Sequence, residues 1–215
     1  MKETSINNIA EVKIDETQYF DLDMAIDSVI REGLYISQLG DETIDNVADN
    51  IPKPKDIYEK DWPGWRLEQG QIFEREELAK FWEHLAPNFG NIRLANTVLN
   101  TFRPGDYIPK HIDINPGPSG MLEVGGEDGF LEEVLTFLYT AKGEKDILLY
   151  TNGPNNPPLS VRQQPGQMIV FPMASIANTR GELLIPELYH EVPEQGTSCT
   201  TLTWEIMRQP ITPKY

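Results

Sequence analysis

The chain has 215 residues, 39% of them hydrophobic and 24% charged, which suits one globular domain with a single sizeable core. Its formal net charge of −16 argues against a nucleic-acid partner, since phosphate binding needs Lys and Arg, and against an anionic membrane surface. No stretch approaches the roughly 20 apolar residues of a membrane span. Met1-Lys2-Glu3-Thr4 opens no apolar signal segment, and the single cysteine, Cys199, rules out an internal disulfide and suits a reducing, cytoplasmic setting.

From the N-terminus, Asp21 to Arg31 reads as a helix, with Leu22, Ile26, Val29 and Ile30 at helical spacing and Gly33 placed to end it. Asp49 to Gly64, rich in proline and in alternating charge, reads as an irregular connection. Leu78, Phe81, Trp82 and Leu85 form an i, i+3, i+4, i+7 stripe on a second helix, which Pro87 and Gly90 close.

Beyond Gly90 the period changes. Leu94 to Phe102, Glu133 to Thr140, Asp146 to Tyr150, Leu159 to Arg162, Gln167 to Phe171 and Thr200 to Ile206 are short segments rich in β-branched and aromatic residues. Turn clusters such as Asn152-Gly153-Pro154 separate them. The expected fold is mainly β with N-terminal helices. Among sandwiches, a jelly roll suits a metal site held between two sheets. One domain over 1–215 is expected, with 1–90 a helical and mixed support, 91–208 the jelly-roll core and 209–215 a tail.

Only three histidines occur, and two of them, with one aspartate, carry the chemistry. His111 and Asp113 stand two apart, so on one strand both point to the same face. His190, separated from Asp113 by seventy-six residues, joins them only through tertiary folding. Two imidazoles and a carboxylate on one face of a metal leave its other face open, the ligand set of non-haem Fe(II) oxygenases.

The flanking residues sharpen this. Pro104-Gly105-Asp106 precedes His111-Ile112-Asp113, and Leu135-Thr136-Phe137-Leu138-Tyr139 supplies the next strand. Pro165-Gly166 leads into Gln167 through Phe171-Pro172, and His190-Glu191-Val192 and Leu202-Thr203-Trp204 follow in order. With these motifs the chain resembles the Fe(II)/2-oxoglutarate-dependent oxygenases, nearest to the prolyl 4-hydroxylase-like branch, over about Ile92 to Ile206. The resemblance implies a double-stranded β-helix in which His111, Asp113 and His190 hold Fe(II), with 2-oxoglutarate and O₂ as co-substrates. Decarboxylation of the oxoacid to succinate and CO₂ would drive hydroxylation of a C–H bond in a small molecule, an amino acid or a peptidyl, prolyl-like substrate. Halogenases of the family carry a small residue in place of the aspartate, so Asp113 points to hydroxylation.

Family members usually pair the far carboxylate of 2-oxoglutarate with an Arg or Lys on the strand after the distal histidine. Glu191 to Met207 contains neither. A dicarboxylate without that cation loses a charge-assisted, often bidentate, pair. Arg162, on a neighbouring core strand, is the first candidate replacement, and Arg180, in the long segment Pro172 to Tyr189, the second. Tyr139 stands where the resembling branch places a tyrosine hydroxyl on the same carboxylate, and Tyr107 could face the pocket from its turn. One or both of the glycine-rich segment Asn115 to Asp128 and the segment Pro172 to Tyr189 are expected to order on substrate binding. Cys199 reads as a buried strand thiol with no basic neighbour, and Trp204 as core. Two alternatives explain the missing cation: an Fe(II) oxygenase that does not hold 2-oxoglutarate in the usual pose, and a cupin-like metal-binding protein without O₂ chemistry.

Overall fold

The structure is a computed structural model that describes residues 14–49, 57–62, 65–70, 75–87, 92–113, 122–123, 135–177 and 183–208. In chain order its elements are β1 (Asp15–Thr17), α1 (Leu22–Glu32), β2 (Tyr35–Leu39), α2 (Asp41–Asp49), β3 (Ile57–Trp62), β4 (Trp65–Gly70) and α3 (Arg75–Leu85). There follow β5 (Ile92–Phe102), β6 (Ile108–His111), β7 (Leu122–Glu123), β8 (Leu135–Lys142), β9 (Lys145–Tyr150), β10 (Leu159–Gln163) and β11 (Gln167–Pro172). The last are β12 (Ile176–Ala177), β13 (Leu183–Ile185), β14 (Tyr189–Val192) and β15 (Cys199–Arg208).

The first helix begins and ends as its sequence predicts. The Asp21 carboxylate accepts from the Met24 N–H at 2.9 Å, and Gly33, at φ 76°, donates its N–H to the Val29 carbonyl at 2.8 Å. Its buried stripe is Leu22, Ala25 and Val29, whereas Ile30, expected on that stripe, is 52% exposed. One turn of 3.6 residues cannot bring both Val29 and Ile30 fully to one narrow face. The helix at α3 appears where expected and buries Phe81, Trp82 and Leu85.

Two packed sheets form the core. The larger runs β1-β2-β11-β8-β15-β5-β4-β3 and the smaller β10-β9-β14-β6, while β13-β12-β7 make a small third sheet. Because side chains alternate along a strand, β8 divides its residues between two layers. Leu135, Phe137, Tyr139 and Ala141 pack against the helices, in one cluster with Phe20, Leu22, Val29, Phe81, Trp82 and Leu85. Leu138 faces the other way, between the sheets, with Ile147, Leu149, Val161, Ile169 and Phe171. Each such side chain withdrawn from water contributes about 1.5–3 kcal/mol, so both layers stabilise the same strand.

Three features depart from the sequence reading. Residues 57–62 are strand β3, paired with β4, rather than irregular connection. Strand β2 and helix α2 were not expected. Strand β2 (Tyr-Ile-Ser-Gln-Leu) lacks alternation because it is buried on both faces, and α2 buries only Thr43 and Val47. In consequence β1 to β4, from the first ninety residues, extend the larger sheet at both ends instead of merely supporting it.

Candidate metal centre

Strands β6 and β14 are adjacent and antiparallel in the smaller sheet, with His111 directly opposite His190. Their ring centroids stand 4.2 Å apart. Asp113 follows two residues beyond His111, and its Oδ1 lies 3.6 Å from His111 Nε2 and 3.4 Å from His190 Nε2. One ligand atom from each residue falls within 4.8 Å of the others, close enough for one ion to bridge all three. The three residues singled out by spacing are therefore brought together.

Backbone carbonyls orient both imidazoles. His111 Nδ1 lies 2.8 Å from the Pro109 carbonyl and His190 Nδ1 3.4 Å from that of Leu188. An Nδ1–H donated outward leaves each Nε2 lone pair aimed at the shared point, the tautomer a metal requires. The Phe171 ring, 4.7 Å from that of His190, closes the inner side. His190 is buried, while the side chains of His111 and Asp113 are 36% and 22% exposed, so the cluster opens to solvent on one flank.

Thr136, from the inward face of β8, donates its hydroxyl to Asp113 Oδ2. Burial alone would raise the Asp113 carboxyl, but the flanking His111 and His190 imidazoles and the Thr136 hydroxyl outweigh it and hold the group well below the usual carboxylate range. His111 shifts upward: burial opposes its charge, and Asp113 and the Pro109 carbonyl more than offset that. An anionic carboxylate beside two inward imidazole nitrogens is the donor set of a divalent transition metal, and the residues fit Fe(II).

The turn before His111 is fixed to the segment just beyond the strand that carries His190. The Asp106 carboxylate accepts from the Arg103 N–H at 2.7 Å, the Gly105 N–H donates to the Gln195 carbonyl at 2.8 Å, and the Gln195 N–H returns to the Asp106 carbonyl at 3.0 Å. The Gln195 side chain also accepts from the Asp146 N–H at 3.1 Å on β9. The Pro-Gly-Asp motif thus registers β6 against β14.

The remaining site candidates fare differently. Arg162 lies on β10 opposite Asp146, and its neighbour Val161 is the one that faces inward, opposite Ile147. The guanidinium therefore points to the outer face, where it pairs with Glu144 at 2.9 Å and Asp146 at 3.2 Å and is 54% exposed. It cannot anchor a ligand between the sheets. Tyr139 is likewise turned away, since its parity on β8 places it in the helical layer, 6.3 Å from the Phe81 ring. Its phenol is raised above the usual tyrosine range by burial. Tyr107 is half-buried in its turn. Arg180, the Trp204 side chain and most of Asn115 to Asp128 lie outside the described residues. Within Pro172 to Tyr189, Ile176 and Ile185 are buried among the helix-facing residues, and Glu187 accepts from the Ser175 hydroxyl.

Sequence reasoning missed Thr136, whose neighbour in space is set only by sheet pairing, and Lys145. Lys145 opens β9 on its inward face and is 2% exposed. It also corrects the reading of Cys199, which is buried as expected but has this basic neighbour: burial raises the thiol and Lys145 partly offsets the rise.

No family model matches this sequence, and the search of curated proteins finds no match. Among solved structures, the chain is similar to an oxidoreductase of the 2OG-Fe(II) oxygenase family from Burkholderia pseudomallei. That likeness has 9% identity and a TM-score of 0.51, and covers 92% of this chain and 97% of that one. A prolyl-4-hydroxylase from Pseudomonas putida aligns at 12% identity with a TM-score of 0.46, over 88% of this chain and all 100% of that one. The fold is the double-stranded β-helix of the 2OG-Fe(II) oxygenases. No helix among the described residues is long and apolar enough to cross a membrane.

Proposed function

We propose that this protein is a non-haem Fe(II) oxygenase that uses 2-oxoglutarate and O₂ to hydroxylate a C–H bond of a small-molecule, amino-acid or peptidyl substrate. The observation that carries the reading is the convergence of His111 Nε2, His190 Nε2 and the Asp113 carboxylate at the open flank of a double-stranded β-helix. Bound there, Fe(II) with its co-substrates would supply the oxidising power. The chain's own residues hold and aim it. Pro109 and Leu188 carbonyls set the imidazole tautomers, Thr136 keeps Asp113 anionic and in place, and Phe171 excludes water from the inner side.

A second reading, an Fe(II) oxygenase that does not hold 2-oxoglutarate in the usual pose, is favoured by one observation: β15 carries no Arg or Lys before Arg208. Succinate release from 2-oxoglutarate with Fe(II) and O₂ separates the two. Wild type is expected to release succinate, and His111→Ala to lose at least a hundredfold in rate with loss of metal binding. Arg162→Ala is expected to match wild type within twofold, because its side chain points outward. Succinate release that persists in His111→Ala would remove the triad from the reaction. Fe(II) binding without succinate from wild type would put the second reading first.

A further inference from the structure

The hairpin that passes from the larger sheet to the smaller is pressed against the start of β15. Strand β8 ends at Lys142 and β9 begins at Lys145, so only Gly143 and Glu144 lie between them. Thr200 pairs with Lys142, the Thr197 hydroxyl donates to the Glu144 carbonyl at 3.2 Å, and the Asp146 N–H donates to Gln195 Oε1 at 3.1 Å. Gly143, at φ 71°, has no room for a Cβ, which would collide with the Ser198 carbonyl and stand 3.1 Å from Cys199 Cα. Residues 195–200 therefore track residues 142–146 in the reverse direction, and the chain's single cysteine is fixed beside the root of Lys145.

The two side chains converge on one ring. Phe102 stands directly opposite Cys199 across β5 and β15, and Lys145 Nζ lies 4.8 Å from the Phe102 ring centroid. Phe102, Val192 and Cys199 form one buried apolar cluster, and Lys145 itself is 2% exposed. Among the described residues, Cys199 is the only ionisable group whose charge acts on Lys145. Burial lowers the lysine to about 8 and raises the thiol, so the neutral amine is within reach at neutral pH. A desolvated neutral lysine is a nucleophile, which an ammonium is not.

That setting suits an oxidative condensation. Peroxide takes a cysteine to its sulfenic acid by removing two electrons: the O–O bond breaks, one hydroxyl passes to Sγ and a water leaves. A sulfenic acid then condenses with a nearby thiol or nitrogen. With one cysteine in the chain no internal disulfide can follow, and burial shuts out bulky external thiols. Lys145 is held beside the sulfur by the hairpin, so its amine has the advantage of proximity. The amine lone pair attacks Sγ, the S–O bond breaks, and the hydroxyl leaves with one amine proton as a second water. One thiol, one amine and one peroxide thus give one S–N bond and two waters, with no further oxidant or reductant.

We propose that peroxide joins Cys199 to Lys145 through a sulfur–nitrogen bond, a reversible covalent tie from β15 in the larger sheet to β9 in the smaller. The site stands apart from the three converging residues and does not depend on the reaction proposed for them. The test treats the full chain with hydrogen peroxide in the presence of Zn(II), which has no redox chemistry of its own. The protein is then alkylated, unfolded and digested with trypsin without reductant, and the peptides are weighed by mass spectrometry. Wild type should lose cleavage after Lys145 and yield a branched peptide joining Lys145 to Cys199, two hydrogens lighter than its two parts together. Dithiothreitol should return the separate peptides. Lys145→Met should give no branched peptide and carry Cys199 on to the sulfinic acid. Cys199→Ser should keep full cleavage after Lys145. Lys145→Gln takes the place of the methionine variant should that one fail to fold, and the wild-type result needs neither. Wild type in which Cys199 is unmodified, or is oxidised to the sulfinic acid while Lys145 is still cleaved, overturns the assignment. So does a branch to another lysine, or one that dithiothreitol does not split.

Discussion

Thr136 illustrates how one hydroxyl positions a candidate metal ligand. It is 3% exposed and donates to the Asp113 oxygen that does not face the histidines, so the other oxygen remains free for an ion. Partners that orient ligating carboxylates are worth roughly 10–100-fold in metal affinity. Thr136→Val keeps the shape and removes the donor. Mn(II) affinity measured by calorimetry is therefore expected to fall within that range, with the far-UV circular dichroism unchanged. Unaltered affinity would mean that Asp113 is positioned by its turn alone. Lys145, by contrast, keeps a cationic group in a buried place where an apolar side chain would be more stable.

Among the elements, the strand ends decide the geometry of the site. The short β6 is held by its ladder to β14 and by the reciprocal bonds between the Gly105–Asp106 turn and Gln195. The turn from β10 into β11 is held from the other side. Gly166, at φ 83°, donates to the Thr140 carbonyl at 2.9 Å and accepts from the Leu39 N–H at 3.1 Å. A Cβ there would run into the Ile44 side chain of α2 and the Gln38 amide. Gly166→Ala combines a left-handed backbone with this overlap, so a loss of about 2 kcal/mol or more is expected in urea denaturation. A loss below a few tenths would show that α2 yields freely. Because β11 carries Phe171, the same substitution disturbs the wall behind His190.

For the molecule as a whole, the ligand cluster joins segments far apart in sequence, so metal should act as a staple on the native state alone. A ligand at a hundred times its dissociation constant stabilises by about 2.7 kcal/mol. For a chain of this size each kcal/mol moves Tm by roughly 2–4 °C. Saturating Mn(II) is thus expected to raise Tm by about 5–10 °C, measured by circular dichroism, and to leave Asp113→Ala unmoved. A rise retained in Asp113→Ala would place the ion elsewhere. The acidic surface that follows from the charge of −16 makes this control necessary, since exposed carboxylates collect cations weakly.

The convergence of His111, Asp113 and His190, the Pro-Gly-Asp turn and most core strands of the double-stranded β-helix were readable from residue order, because candidate ligand types, turn glycines and β-branched runs carry their meaning locally. Helix α1 was readable from its cap at Asp21 and its stop at Gly33 for the same reason. Strand β2 escaped because burial on both faces erases alternation, and α2 because its sequence is mostly polar. The direction of a side chain across a sheet is another matter. Arg162 and Tyr139 had suitable chemistry in suitable strands, yet a parity of one residue turns each out of the barrel. The same parity turns Thr136 and Lys145 inward. Spacing along the chain could name the three residues that converge, but only the pairing of strands decided that Thr136 stands behind Asp113 and that Lys145 is buried between the sheets.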